Sequence, residues 1–249
     1  MKVKIGILVV LIYCVTLVVN LPAAVVINAL PNNLAKINNV TGTLWKGKAQ
    51  KIIINRKLVF NNVKWDINLW ALFGLAVEAK ASFYNGAGAM SGEGIIRYDT
   101  SGIQASDVLL ELTSQELLAL LPTSLPAKIE GNFSIKVKEA KQGLPYCEKL
   151  NGTVVWHDAS INSQFGNINL ASPVVDLNCD SGAVSAFVTQ NSEELSTVLD
   201  INLSKGEVYK VNGEIKGTDK LDPSIAQSLK WAGPLNDSGA TVIKFEGKL

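Results

Sequence analysis

The side chains best suited to chemistry in this sequence are three cysteines, Cys14, Cys147 and Cys179, and one histidine, His157. Zinc sites draw Cys and His from close clusters. These four are far apart, so no metal site is expected. A Ser-His-Asp or Cys-His centre needs a histidine base held by a third group. His157 is the sole candidate base, and Asp158, its neighbour on an expected strand, would point to the opposite face. The carboxylates Glu78, Glu93, Asp99, Asp107, Glu111, Asp176 and Asp180 are scattered, and nothing marks a glycosidase pair among them. The run NGAGAMSGEG lacks a Walker lysine and a strand-to-helix setting, and it reads as a hairpin turn. Trp45, Trp65, Trp70, Trp156 and Trp231 read as core or membrane-interface aromatics rather than a sugar-stacking platform. No catalytic residue, metal ligand or cofactor is assigned. The net charge is +1 without a basic stripe, so nucleic acid is not an expected partner.

The N-terminus sets the compartment. Lys2 and Lys4 precede an uncharged run, Ile5–Val19, whose apolar character continues past Asn20 to about Leu30. A membrane span needs about 20 mainly apolar residues. Residues 5–24 supply them when Asn20 and Pro22 lie at the outer interface. The two lysines then keep residues 1–4 in the cytoplasm and the remainder is exported. The competing reading is a cleaved signal peptide, for which Leu21 or Pro22 falls where a small residue belongs at −3. Export leaves Cys14 in lipid and favours a Cys147–Cys179 disulfide, since an oxidising compartment permits one. Closing a loop of about 30 residues contributes roughly 3–4 kcal/mol in the chain-entropy model. Two free buried thiols are the alternative.

The exported part alternates with the period of a strand. Leu75, Val77, Ala79, Ala81 and Phe83 point one way, against Glu78, Lys80 and Ser82. Ile129, Phe133, Ile135 and Val137 likewise oppose Glu130, Asn132, Ser134 and Lys136. Further strands are expected at 40–49, 51–55, 58–67, 94–98, 152–157, 183–190, 197–204, 207–216 and 241–247. Two short helices interrupt them. TSQELLALL at 113–121 opens on a capping box, Thr113 with Glu116, and ends at Pro122. DPSIAQSLKW at 222–231 opens on Asp222 and Pro223 and ends at Gly233.

Three landmarks recur about 110 residues apart. VTGTLW at 40–45 pairs with LNGTVVW at 150–156, the first helix with the second, and the strand after Gly131 with that after Gly239. The expected layout is therefore a tail (1–4), a transmembrane signal-anchor (5–24), a linker (25–39) and two β repeats (40–145 and 146–249). The fold class is mainly β: a long curved antiparallel sheet, as a β-groove or a folded-over sandwich, with two short helices. Its apolar face must be folded over, covered by helices or laid on an apolar partner.

The segment Gly42-Thr43-Leu44-Trp45-x-Gly47 follows the apolar segment closely. Together with WDINLW at 65–70, Leu-Leu-Pro at 120–122 and the Cys147/Cys179 pair, it resembles type II secretion system protein N over essentially the whole chain. The resemblance implies a single-pass protein of the bacterial inner membrane with its bulk in the periplasm. It implies an accessory part, without catalytic residues, of the machine that exports folded proteins across the outer membrane. Its implied partners are other inner-membrane components of that apparatus. The chain is also similar in fold to β-groove modules of large envelope proteins associated with lipid transport. That likeness raises a second reading, in which the Leu75–Phe83 and Ile129–Val137 faces line a groove for acyl chains. An exported hydrolase is the third, and no acid–base constellation supports it.

Overall fold

The computed structural model describes residues 2–29, 35–54, 58–120 and 127–248. Two compact units emerge, residues 1–85 with 95–100 and residues 86–94 with 101–249.

The first unit begins with α1 (Lys2–Val19) and α2 (Ala23–Ala29). It continues through β1 (Ala35–Gly42), β2 (Lys46–Ile54), β3 (Leu58–Ile67), a 3₁₀ helix (Leu69–Gly74) and β4 (Val77–Tyr84). Each strand is antiparallel to the next. Every side chain of α1 from Lys4 to Val19 is exposed, apolar ones included. At 1.5 Å per residue its 18 residues extend about 27 Å. Among the described residues no helix is long and apolar enough to cross a membrane. Residues 30–34 of the expected linker lie outside the described residues.

β5 (Ser91–Asp99) is shared between the units. The second unit continues with β6 (Gly102–Thr113), α3 (Ser114–Leu120), β7 (Lys128–Gln142), β8 (Cys147–Ser163) and β9 (Gly166–Ala171). β10 (Val174–Asp180), β11 (Ala183–Asn191), β12 (Leu195–Ser204), β13 (Val208–Gly217), α4 (Pro223–Ala232) and β14 (Thr241–Lys248) complete it. The strand order is β6-β7-β8-β10-β11-β12-β13-β14, with β9 paired to β8 off this path. All described pairings are antiparallel.

Both helices of the second unit start as their sequences require. Glu116 accepts from the Thr113 N–H at 2.9 Å and its own N–H donates to Thr113 Oγ1 at 3.2 Å, a reciprocal capping box. The other carboxylate oxygen of Glu116 accepts from Met90 N–H at 2.8 Å, which ties the glycine-rich segment to the helix start. Asp222 caps α4 by accepting from Ser224 N–H at 2.8 Å. Leu121 and Pro122, the expected end of α3, lie outside the described residues. α4 buries Ile225 against Leu195 and Leu221, with Ile168, Leu170 and Ile215 packed around them.

Several expectations are corrected. The strand expected over 40–49 is two strands: β1 ends at Gly42, where φ is +92°, and β2 starts at Lys46. The strand expected from Leu75 starts at Val77, because Leu75 caps the 3₁₀ helix in the left-handed conformation, φ 53°. β6, β9 and β10 have no counterpart among the expected strands. In β6, Asp107 adopts φ 50°, which interrupts the extended backbone between Ser106 and Val108. Asn55, the end of one expected strand, lies outside the described residues.

Removing the Glu116 carboxylate leaves the Thr113 and Met90 N–H groups without it. Glu116→Ala should lower stability by about 1–2 kcal/mol. Urea unfolding of the full chain in detergent checks this, with Gln115→Ala, an exposed position on the same helix, as the reference. Equal midpoints for the two variants would contradict it.

Candidate functional site

Gly42, Thr43, Leu44, Trp45 and Gly47 form the β1–β2 turn and the joint between that turn and α1. Thr43 closes the turn: its N–H donates to Lys46 O at 3.0 Å and its Oγ1 accepts from Lys46 N–H at 3.1 Å. Leu44 N–H donates to Leu21 O at 2.8 Å, and the Trp45 indole donates to Val18 O at 2.8 Å. The last turn of a helix has carbonyls without internal partners, and Trp45 satisfies one of them. Gly47 is buried beneath the Trp65 ring, where a β-carbon would overlap the ring atoms. The Trp65 indole donates to Leu44 O at 2.9 Å. A second Trp–Gly pair occurs on β7 and β8. The Trp156 indole donates to Glu130 O at 2.9 Å, and a β-carbon on Gly131 would lie 2.8 Å from Trp156 Nε1.

The second unit carries a larger feature. Residues directly opposite each other on antiparallel strands share a face. One row runs Leu110, Ile135, Val154, Val175, Val188, Leu199, Gly213 and Ile243 across eight strands. The row beside it runs Val108, Val137, Gly152, Leu177, Ala186, Ile201, Val211 and Phe245. None of the apolar side chains in these rows is buried, and Phe245 is 57% exposed. The next row, on the opposite face, includes Lys136, Thr153, Asp176, Asp200, Asn212 and Lys244, interrupted by Leu109 and Phe187. One face is thus continuously apolar across the unit, and no described element buries its central rows.

The structure places Ile135 and Val137 in those rows. Phe133 lies beside them, between Leu112 and Trp156, its ring stacked on the indole at 5.2 Å. Ile129 faces Ile161. In the first unit, Ala79 and Ala81 face Ile67 and Trp65. Phe83 meets Phe60 edge to face at 4.8 Å, and Val77 is exposed. Leu75 lies outside β4 and is 80% exposed.

The residues with chemical reach are dispersed. Cys147 and Cys179 are bonded, Cα atoms 6.1 Å apart, linking the start of β8 to the end of β10. Cys14 is free and exposed on α1. His157 is exposed with Nε2 3.1 Å from Ser134 Oγ. Among the described residues no group of three His, Cys, Asp or Glu could hold a metal. Groups with shifted ionisation sit in surface ion pairs. A hydrogen bond from Lys46 to Asp66 holds that ammonium above its ordinary value, and one from Lys220 to Glu193 holds that carboxyl below its own.

Comparison with known proteins supplies the family. The family profile described as "Type II secretion system (T2SS), protein N" matches residues 33–244. The chain belongs to the type II secretion system protein N family. Type II secretion system protein N of Aeromonas hydrophila is 27% identical, over 100% of this chain and 99% of its own length. The Vibrio cholerae protein of the same name is also 27% identical, over 94% of this chain and 93% of its length. That of Pectobacterium carotovorum subsp. carotovorum is 28% identical, over 86% and 84%. No solved structure matches the chain. In the Gly42–Gly47 segment the Trp45 indole and the Leu44 N–H fasten the end of the N-terminal helix to the β1–β2 turn, and Gly47 admits the Trp65 ring, whose indole donates to Leu44 O.

That joint predicts a position-specific cost. Gly47→Ala should destabilise the chain by about 1–3 kcal/mol through overlap with the Trp65 ring. Gly74→Ala, with nothing within 4 Å of the added carbon, should change stability by less than about 0.5 kcal/mol. Denaturant midpoints of the two variants provide the check, and equal losses would contradict the packing described.

Proposed function

We propose that this chain is a non-enzymatic accessory or assembly subunit of the type II secretion system. In this reading the inner membrane anchors it through α1 and its strands lie in the periplasm. The observation that carries the process is the family match over residues 33–244. The anchor is supported by the all-round exposure of the apolar side chains of α1, since a helix apolar on every side belongs in lipid or in a core. Its 18 residues fall slightly short of a full span; local thinning of the bilayer accommodates that. The bonded Cys147–Cys179 pair agrees with an oxidising periplasm. Residues 1–4 then form the cytoplasmic tail, 5–24 the anchor, 25–39 the linker, and 40–145 and 146–249 two related β modules. Each helix of the second unit, α3 and α4, links two paired neighbouring strands, which supports the duplication.

The apolar rows of the second unit are the contact surface in this account, because apolar patches left open on one face mark interaction sites. The partners are other inner-membrane subunits of the apparatus. A second reading rests on the same rows: a β-groove in which acyl chains lie on the apolar face. The two are compatible, and lipid recovered with the detergent-extracted protein, identified by native mass spectrometry, would support the second.

Deleting the gene should leave secreted folded enzymes in the periplasm, and the wild-type gene should restore them to the medium. A copy carrying Val188→Lys, on the apolar face, should fail to restore secretion at equal protein level. Asn212→Lys, on the polar face, should restore it. Normal secretion by the deletion strain would contradict the proposed role, and restoration by both variants would contradict the assigned contact face.

A further inference from the structure

The polar face of the first unit gathers lysines that are scattered along the chain. Lys48 lies directly opposite Lys64, and Lys46 is opposite Asp66, which is opposite Lys80. Asp66 is committed to Lys46 by an ion pair at 2.8 Å. Among the described residues, Lys48, Lys64 and Lys80 have no ion pair. Glu78, two residues from Lys80 on the same face, is engaged by Arg97 at 3.3 Å and by Asn68 at 2.9 Å. Thr41 and these lysines line an open concavity of about 280 Å³. Like charges directly opposite on neighbouring strands are destabilising. The Lys48–Lys64 pair therefore carries a cost that a bound anion would relieve.

The position of this face identifies the anion. Lys46 ends the turn whose Leu44 N–H and Trp45 indole donate to Leu21 O and Val18 O at the end of α1. Strand spacing of about 4.8 Å and a rise of about 3.4 Å per residue place all four lysines within roughly 10–15 Å of that turn. We propose that Lys46, Lys48, Lys64 and Lys80 form a docking face for anionic phospholipid headgroups on the membrane surface from which α1 emerges. This inference rests on the anchor reading given above. The face bears a net excess of positive charge where the bilayer surface would meet the first unit. Docking there would fix the tilt of the first unit against the membrane, adding a second point of attachment to the single helix.

The test uses the full chain in nanodiscs of phosphatidylcholine alone or with phosphatidylglycerol. Lysine acylation, read residue by residue by mass spectrometry, reports headgroup contact. Lys48, Lys64 and Lys80 should react about fivefold more slowly in the anionic discs, the factor expected for one cation at an anionic surface. Lys205 and Lys244, exposed in the second unit, should react equally in both. Salt at about 1 M, where the screening length is about 3 Å, should abolish the protection. Equal reactivity of the three lysines in both discs would overturn the headgroup site while leaving the anchor intact. Protection by soluble glycerol phosphate in the uncharged discs, equal to that in the anionic ones, would assign the face to a free phosphate compound and also overturn it. Failure of the chain to incorporate into discs at all would overturn the anchor and the docking face together.

Discussion

An antiparallel sheet with one apolar face has to keep that face from water, and in the second unit this constraint governs everything else. α4 gathers a small core of Leu195, Leu221 and Ile225 at one region of the sheet. Ser114, at the start of α3, is buried and donates from Oγ to Gly131 O at 2.8 Å. Between those places the Leu110–Ile243 and Val108–Phe245 rows remain half-exposed. Adjacent valines, leucines and isoleucines shield one another along each row, which lowers the area facing water without closing the face. A protein built this way is stabilised by its ladder of backbone hydrogen bonds and by contacts within a single layer. In the proposed role, a partner supplies the layer that completes this core.

Two devices hold the sheet in register where a thicker core would otherwise do so. The Cys147–Cys179 disulfide ties β8 to β10, joining cysteines 32 residues apart in sequence on strands that are neighbours in the sheet. Tyr146 extends the same tie: its hydroxyl donates to Ser204 O at 3.1 Å and accepts from Glu207 N–H at 3.0 Å. The Trp–Gly pairs act at shorter range. In each, a missing side chain admits an indole, and the indole N–H satisfies a nearby carbonyl.

Much of this was legible in the residues themselves. β3 coincides with its expected bounds, Leu58–Ile67: Val63, Trp65 and Ile67 alternate with Lys64 and Asp66, and Asn68 ends the run by capping the 3₁₀ helix. Both helix starts were readable because a cap is a local matter: Thr113 with Glu116, and Asp222 before Pro223. The disulfide followed from compartment and count. What stayed hidden was non-local or broke a period. Asp107, in the left-handed region, interrupts β6 so that neither half reads as a full strand. β10 carries Asp176, Asn178 and Asp180 on its polar face, a composition that resembles a loop until Val175, Leu177 and Cys179 are seen to align with their neighbours. The 40–49 stretch reads as one strand because its turn hangs on Gly42, at φ +92°, and on the bonds between Thr43 and Lys46, neither of which a residue period reveals. The lysine face could not be seen at all, since Lys46, Lys48, Lys64 and Lys80 meet only through strand pairing.

In the proposed role the apolar face of the second unit, rather than its polar face, meets the rest of the secretion machine. The most direct measurement places a photo-activatable phenylalanine analogue at single positions in secreting cells. Val188 and Ile201 sample the apolar rows, and Asn212 and Thr153 sample the opposite face. Crosslinks are expected from the first two positions to an inner-membrane subunit of the apparatus, absent when that apparatus is deleted, and none from the other two. Crosslinks to the apparatus from Asn212 and Thr153 alone would contradict it.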